Sequence, residues 1–148
     1  MKIKPIVAAV LAASSLCLAA PAFATTLASS LDGPSVPTGG DGNGWADFVA
    51  SIDGDNGRLC YRLETHNVDN QTIAHIHEGS AGDPGRPLIN LTIGSNSCTN
   101  ISASLMQDIL DNPSNYYVDV LSSAFPKGAV RGQLALGDPT SVFSYNGN

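Results

Sequence analysis

"WADFVASIDGDNGRLCYRLET", residues Trp45 to Thr65, is the stretch that decides the fold class. Trp45 to Asp53 alternates loosely between apolar and polar side chains, then runs into Asp53-Gly54-Asp55-Asn56-Gly57, dense in the residues that turn a hairpin. Beyond the turn, Leu59, Tyr61, Leu63 and Thr65 fall on one face of an extended segment. Arg58, Cys60, Arg62 and Glu64 fall on the other, because successive side chains of a strand point to opposite faces. Alternation, turn and alternation again predict an antiparallel hairpin. Asp53, Asp55 and Asn56 are oxygen donors of the kind that hold calcium, but the stretch lacks the spaced ligands and closing glutamate of an EF-hand loop. A turn accounts for them.

Working outward, "QTIAHIHE" (Gln71 to Glu78) and "RPLINLTIG" (Arg86 to Gly94) read as two further strands. Between Ser102 and Asp111 the period changes: Leu105 and Ile109, with Met106 and Leu110 beside them, share one side at helical spacing. Ser102 is placed to cap that helix and Pro113 to stop it. "YYVDVL" (Tyr116 to Leu121) and "AVRGQLAL" (Ala129 to Leu136) complete six short strands with turn signals about every ten residues, the pattern of an antiparallel sandwich or barrel. Residues 25–43, rich in Ser, Gly, Pro, Asp and Thr, read as an irregular lead-in, and residues 137–148 as a frayed polar tail. The folded domain is expected over residues 44–136.

The first 24 residues read as a cleaved signal peptide. Lys2 and Lys4 precede an apolar run from Ile6 to Ala20, and Ala22-Phe23-Ala24 matches the motif a signal peptidase reads. The apolar run is too short for a good membrane span, so the expected product is a soluble exported protein, periplasmic or extracellular, with no membrane insertion after cleavage. Removing the leader takes away two lysines and no acid, shifting the formal charge from −6 to −8. So acidic a chain, with only Arg58, Arg62, Arg86, Lys127 and Arg131 as cations, has no electrostatic footprint for nucleic acid and no basic face for anionic lipid. Cys17 leaves with the leader. The remaining thiols, Cys60 and Cys98, are expected to pair in an oxidising compartment and to stabilise the fold by roughly 3–4 kcal/mol.

Several motifs in order carry a resemblance. "CYRLETHNVDNQTIAHIHEGSAGDPGRPLINL" (Cys60 to Leu91), then Cys98, then "DNPSNYYVDVLSSAFPKGAVRGQL" (Asp111 to Leu134) closely resemble the CHRD domain, a module first named from chordin and common in exported bacterial proteins. The likeness runs from about Gly44 to Leu136. It implies an all-β, antiparallel Greek-key β-sandwich, immunoglobulin-like or superoxide-dismutase-like, here with one short helix. For many bacterial members it also implies a disulfide between cysteines placed like Cys60 and Cys98. Where the family commonly reads Y-V-N-V-H-T, this chain has Tyr117-Val118-Asp119-Val120-Leu121-Ser122. Leu121 thus stands where a third histidine usually does, and Asp119 replaces the asparagine.

His75 and His77 are the residues with most chemistry. On a strand they project from one face about 6.6 Å apart at Cα, and two imidazoles so placed suit copper or zinc. The pair is similar to one used by copper/zinc superoxide dismutase. A third ligand would have to come from Asp83, Asp119 or His66, with Glu78 pointing to the opposite face. The competing reading makes both histidines neutral hydrogen-bonded anchors for the "EGSAGDPGRP" loop. Arg131 is expected to form a structural ion pair with Asp119 on the partner strand. No Ser/His/Asp arrangement and no free thiol supports nucleophilic catalysis. The expectation is therefore a non-enzymatic binding or structural module with no cofactor, whose partner is an unidentified protein or small ligand. The alternative is a copper- or zinc-binding protein using His75 and His77, with weak redox activity.

Overall fold

The computed structural model describes residues 25–94 and 96–137. Residues 1–24, expected to form a leader, and residues 138–148 of the expected tail lie outside the described residues. The chain forms β1 (Thr25–Asp32), β2 (Trp45–Asp53), β3 (Arg58–His66), β4 (Gln71–Glu78), β5 (Arg86–Leu91), β6 (Ser97–Asn100), α1 (Ala103–Asp111), a single 3₁₀ turn (Pro113–Asn115), β7 (Tyr116–Ser122), β8 (Val130–Gln133) and β9 (Ala135–Gly137). The hairpin forms as its sequence implies, with β2 and β3 in register from Trp45 opposite His66 to Asp53 opposite Arg58. The Asp53 carboxylate closes the turn by accepting from the Asn56 amide nitrogens, main chain and side chain.

All strands belong to one antiparallel sheet, ordered β5-β4-β7-β8-β1-β2-β3-β6, with β9 pairing β1 off that path. This corrects the expected two-layer sandwich: the sheet is single and strongly curled into a half-barrel. The chain's own links require the curl. Four residues join β3 to β4, which lie five strand spacings apart in the sheet. In a flat sheet that is about 24 Å, while the link reaches about 17 Å. Five residues join β5 to β6 at opposite edges of the path, reaching about 20 Å where a flat sheet would demand about 34 Å.

The strand that turns two half-sheets into one is β1, in the segment expected to be irregular. Residues Thr25–Asp32 instead pair along their length with β2, from Thr25 opposite Ile52 to Asp32 opposite Trp45. On the other side β1 meets β8 at Asp32–Arg131 and β9 from Thr26–Gly137 to Ala28–Ala135. Its core face is Leu27, Ser29 and Leu31, all buried, so the period is present but diluted by serine. Gly132 permits the seam, since a Cβ there would lie 2.3 Å from the Ser30 carbonyl oxygen. The expected strand from Ala129 to Leu136 is divided at Leu134 into β8 and β9, and Gly137, assigned to the tail, is the last residue of β9.

The core fills the curl. Leu27 and Leu31 of β1, Phe48 of β2, Leu59 and Leu63 of β3, Ile76 of β4 and Val118 and Val120 of β7 are all essentially inaccessible to solvent. The helix has its expected cap, Ser102 Oγ accepting from the Leu105 backbone N–H at 3.2 Å, and adds Met106 and Ile109 to the core. β6 has four residues and only β3 as a neighbour. The Cys60–Cys98 disulfide joins directly opposed residues of these two strands, so it staples the shortest edge of the path to the main hairpin.

Candidate metal centre

Because Ala74 and Ile76 of β4 point into the core, His75 and His77 emerge on the outer face. The same alternation on β7 sends Val118 and Val120 inward and Tyr117, Asp119 and Leu121 outward. The register between β4 and β7 places His75 opposite Asp119 and His77 opposite Tyr117. On the β5 side the register slips between Ile76 and His77, a bulge of the sort that re-aims a side chain.

The result is a cluster of three donors. His75 Nδ1 lies 3.2 Å from Asp119 Oδ1, and His77 Nε2 lies 3.1 Å from Asp119 Oδ2. One donor atom from each of the three residues falls within 4.8 Å of the others. The side chains are only 10–13% exposed. Ligands bound tetrahedrally at 2.0–2.1 Å are separated by about 3.3 Å along each edge; the two contacts are of that length but go to different Asp119 oxygens, and the His75 contact has hydrogen-bond geometry.

The decisive detail concerns His77. Its Nδ1 is 3.0 Å from the Gly85 carbonyl oxygen, which can only accept, so Nδ1 carries the proton. In a neutral ring Nε2 is then a bare lone pair, yet it faces a carboxylate oxygen. The 3.1 Å contact does not have hydrogen-bond geometry, and Nε2 is buried with no hydrogen-bond partner. Two acceptors held face to face call for a positive charge between them: a second ring proton or a metal ion. Burial pulls the His77 pKa down, but the Asp119 carboxylate beside Nε2 and the hydrogen bond to Gly85 outweigh it against opposition from Arg131, leaving the pKa above its ordinary 6.5. An Nδ1–H fixed on a backbone carbonyl with Nε2 aimed at the donor cluster is also how metal-bound histidines are usually oriented.

The surrounding residues hold this arrangement. The Tyr117 ring stacks on His77 with centroids 4.7 Å apart, and the Gly85 backbone N–H donates to the Tyr117 hydroxyl at 3.1 Å. The Arg131 guanidinium lies 3.5 Å above the Tyr117 ring and donates to the Ser80 and Asp83 carbonyl oxygens and to Gln133 Oε1. His77, Tyr117 and Arg131 therefore tie the 79–85 loop to three adjacent strands, so the anchoring role expected of the histidines is met in part by His77.

Of the candidate third ligands, Asp119 joins the histidines. Asp83 engages Arg131 through its backbone carbonyl and is not part of the donor cluster. His66 ends β3, five spacings from β4 in the sheet, and stacks on Trp45 at 3.7 Å. The expected Arg131–Asp119 ion pair is not formed, although the two residues are opposed in register. β7 has neighbours on both sides, and the Asp119 carboxylate turns toward the imidazoles of β4 while Arg131 turns to loop carbonyls. Sequence reasoning missed Gly85 and Tyr117. Tyr117 was within reach, since it shares a strand face with Asp119 two residues on. Gly85 was not, since only the folded loop brings its carbonyl to His77.

No curated protein and no solved structure matches this chain. Among the described residues no helix is long and apolar enough to cross a membrane. The CHRD domain profile matches residues 23–134, reaching from the residue before the end of the leader motif through β8. The likeness read from the ordered motifs thus extends over most of the chain, which belongs to the CHRD domain family.

Proposed function

We propose that the mature chain is an exported, non-enzymatic binding module that holds one Zn²⁺ or Cu²⁺ ion between His75, His77 and Asp119. The observation that carries this reading is the buried His77 Nε2, without a hydrogen-bond partner and 3.1 Å from a carboxylate oxygen. A nitrogen–nitrogen–oxygen donor set suits either ion. Support for export comes from the leader motif and from a disulfide that persists in oxidising compartments. No catalytic step is assigned: both mature cysteines are in the disulfide, and among the described residues no hydroxyl group hydrogen-bonds either imidazole.

Calorimetry on the chelator-treated mature chain tests the proposal. One ion per chain is expected, with binding lost in His75→Ala, His77→Ala and Asp119→Asn. A chain that takes up neither ion, or takes them up undiminished in all three variants, sinks it. The first of those outcomes would leave the cluster as a polar clamp on the 79–85 loop, the role the His77–Gly85 contact favours.

A further inference from the structure

A pocket of about 80 Å³ opens beside the donor cluster, with Asp119, Tyr117, Lys127 and Arg131 in its wall and Val36 and Pro84 among its apolar lining. Two of the five cations left after leader cleavage therefore meet at one small cavity of a strongly acidic chain. Arg131 is 4% exposed. Its named hydrogen bonds go to two backbone carbonyls and an amide oxygen, all neutral. Among the described residues no carboxylate forms an ion pair with Arg131 or Lys127. A guanidinium has five N–H donors, so two remain. A buried cation facing only neutral acceptors is costly to keep, and its unused donors, on Nε and Nη1, can each still make a charge-assisted hydrogen bond.

We infer that this pocket binds a small carboxylate-class oxyanion, held by Arg131 and Lys127 and bound jointly with the metal ion. The inference rests on the metal reading above. Charge sets the class: two cations without a carboxylate partner among the described residues meet at one small cavity, which suits a small monovalent acid such as formate or acetate. Charge sets the coupling. Asp119 in the wall repels an anion while its carboxylate is unneutralised, and a bound ion removes that repulsion. Three protein donors also leave a tetrahedral ion one open position. Anion and metal must therefore strengthen each other's binding by the same factor.

The test uses the mature chain loaded with Co²⁺, whose visible spectrum reports its ligands, together with Zn²⁺ competition titrations at constant ionic strength, each with and without sodium formate. Formate is expected to shift the Co²⁺ spectrum and to tighten Zn²⁺ binding about five- to tenfold. Lys127→Ala, at an exposed turn position, is expected to retain Zn²⁺ binding and lose most of the formate effect. If Zn²⁺ binds but formate changes neither readout, or if Lys127→Ala keeps the full effect, the anion site is refuted and the metal centre stands. If neither ion binds at all, both readings fall.

Discussion

Replacing Gly85 by alanine attacks the candidate centre from behind, without touching any of its three donors. A Cβ built on Gly85 would lie 1.5 Å from the Glu78 carbonyl oxygen and 2.5 Å from the Glu78 carbonyl carbon. Both obstacles are backbone, so no side chain can swing aside. Restoring ordinary contact requires the loop to lift by about 2 Å, given that carbon and oxygen pack no closer than roughly 3.3 Å. The Gly85 carbonyl oxygen now 3.0 Å from His77 Nδ1 would leave hydrogen-bond range, and the Gly85 N–H would leave the Tyr117 hydroxyl. Two hydrogen bonds at about 1 kcal/mol each place the loss of stability near 2 kcal/mol. Freeing the ring to rotate and exchange tautomers is expected to weaken metal binding by about 10- to 100-fold. Zn²⁺ competition titration against a chromophoric chelator measures the affinity, and denaturant unfolding the stability. Gly42→Ala is the control, since nothing lies within 4 Å of its added Cβ. A Gly85→Ala chain that folds and binds Zn²⁺ within twofold of the parent would refute the claim that the Gly85 carbonyl orients His77.

Other expectations bear on the fold and the charge of the site. Gly132→Ala forces a Cβ to 2.3 Å from the Ser30 carbonyl oxygen, so it is expected to open the β8–β1 seam and cost about 1–3 kcal/mol in urea unfolding; an unchanged midpoint contradicts that seam. Thiol titration of the unfolded, unreduced mature chain is expected to find no free sulfhydryl, and Cys60→Ser/Cys98→Ser to lose about 3–4 kcal/mol for its 38-residue separation. Proton and metal also compete at His77. In chelator its raised pKa adds stability that is complete below the unfolded value near 6.5 and is lost as pH rises through the higher folded value. Zn²⁺ requires the neutral ring, so its stabilising effect grows over the same range. Melting temperatures recorded with chelator and with Zn²⁺ are therefore expected to diverge as pH rises above the unfolded value near 6.5; parallel curves argue against a shared position for proton and metal.

The hairpin of β2 and β3 was legible because a strand with one buried face repeats every two residues and its turn residues are chemically distinct. The helix was legible through its cap and its change of period. β1 was not, because its inward positions are Leu27, Ser29 and Leu31. One serine among three core residues, flanked by Thr, Ala and Asp, resembles the loop that follows it, and only pairing with β2 on one side and with β8 and β9 on the other holds it extended. Losing β1 also loses the single sheet, since without it β5-β4-β7-β8 and β2-β3-β6 read as two separate layers. The sandwich expectation and the irregular lead-in were one misreading.

The site divides along the same line. Strand alternation is enough to put His75 and His77 on one face and Asp119 on the same face as Tyr117, and this much follows from spacing alone. What spacing cannot supply is register, because sliding β7 by two residues along β4 leaves every side chain on its own face and still carries the Asp119 carboxylate away by about 6.6 Å. Register here is set by the buried positions, Ala74 and Ile76 opposite Val120 and Val118. A two-residue slip would move these well-packed side chains against the wrong partners. The core therefore determines which acid meets the histidines. Leu121 offers no donor, yet three gather beside β4, because Asp119, two residues earlier, lies directly across from His75.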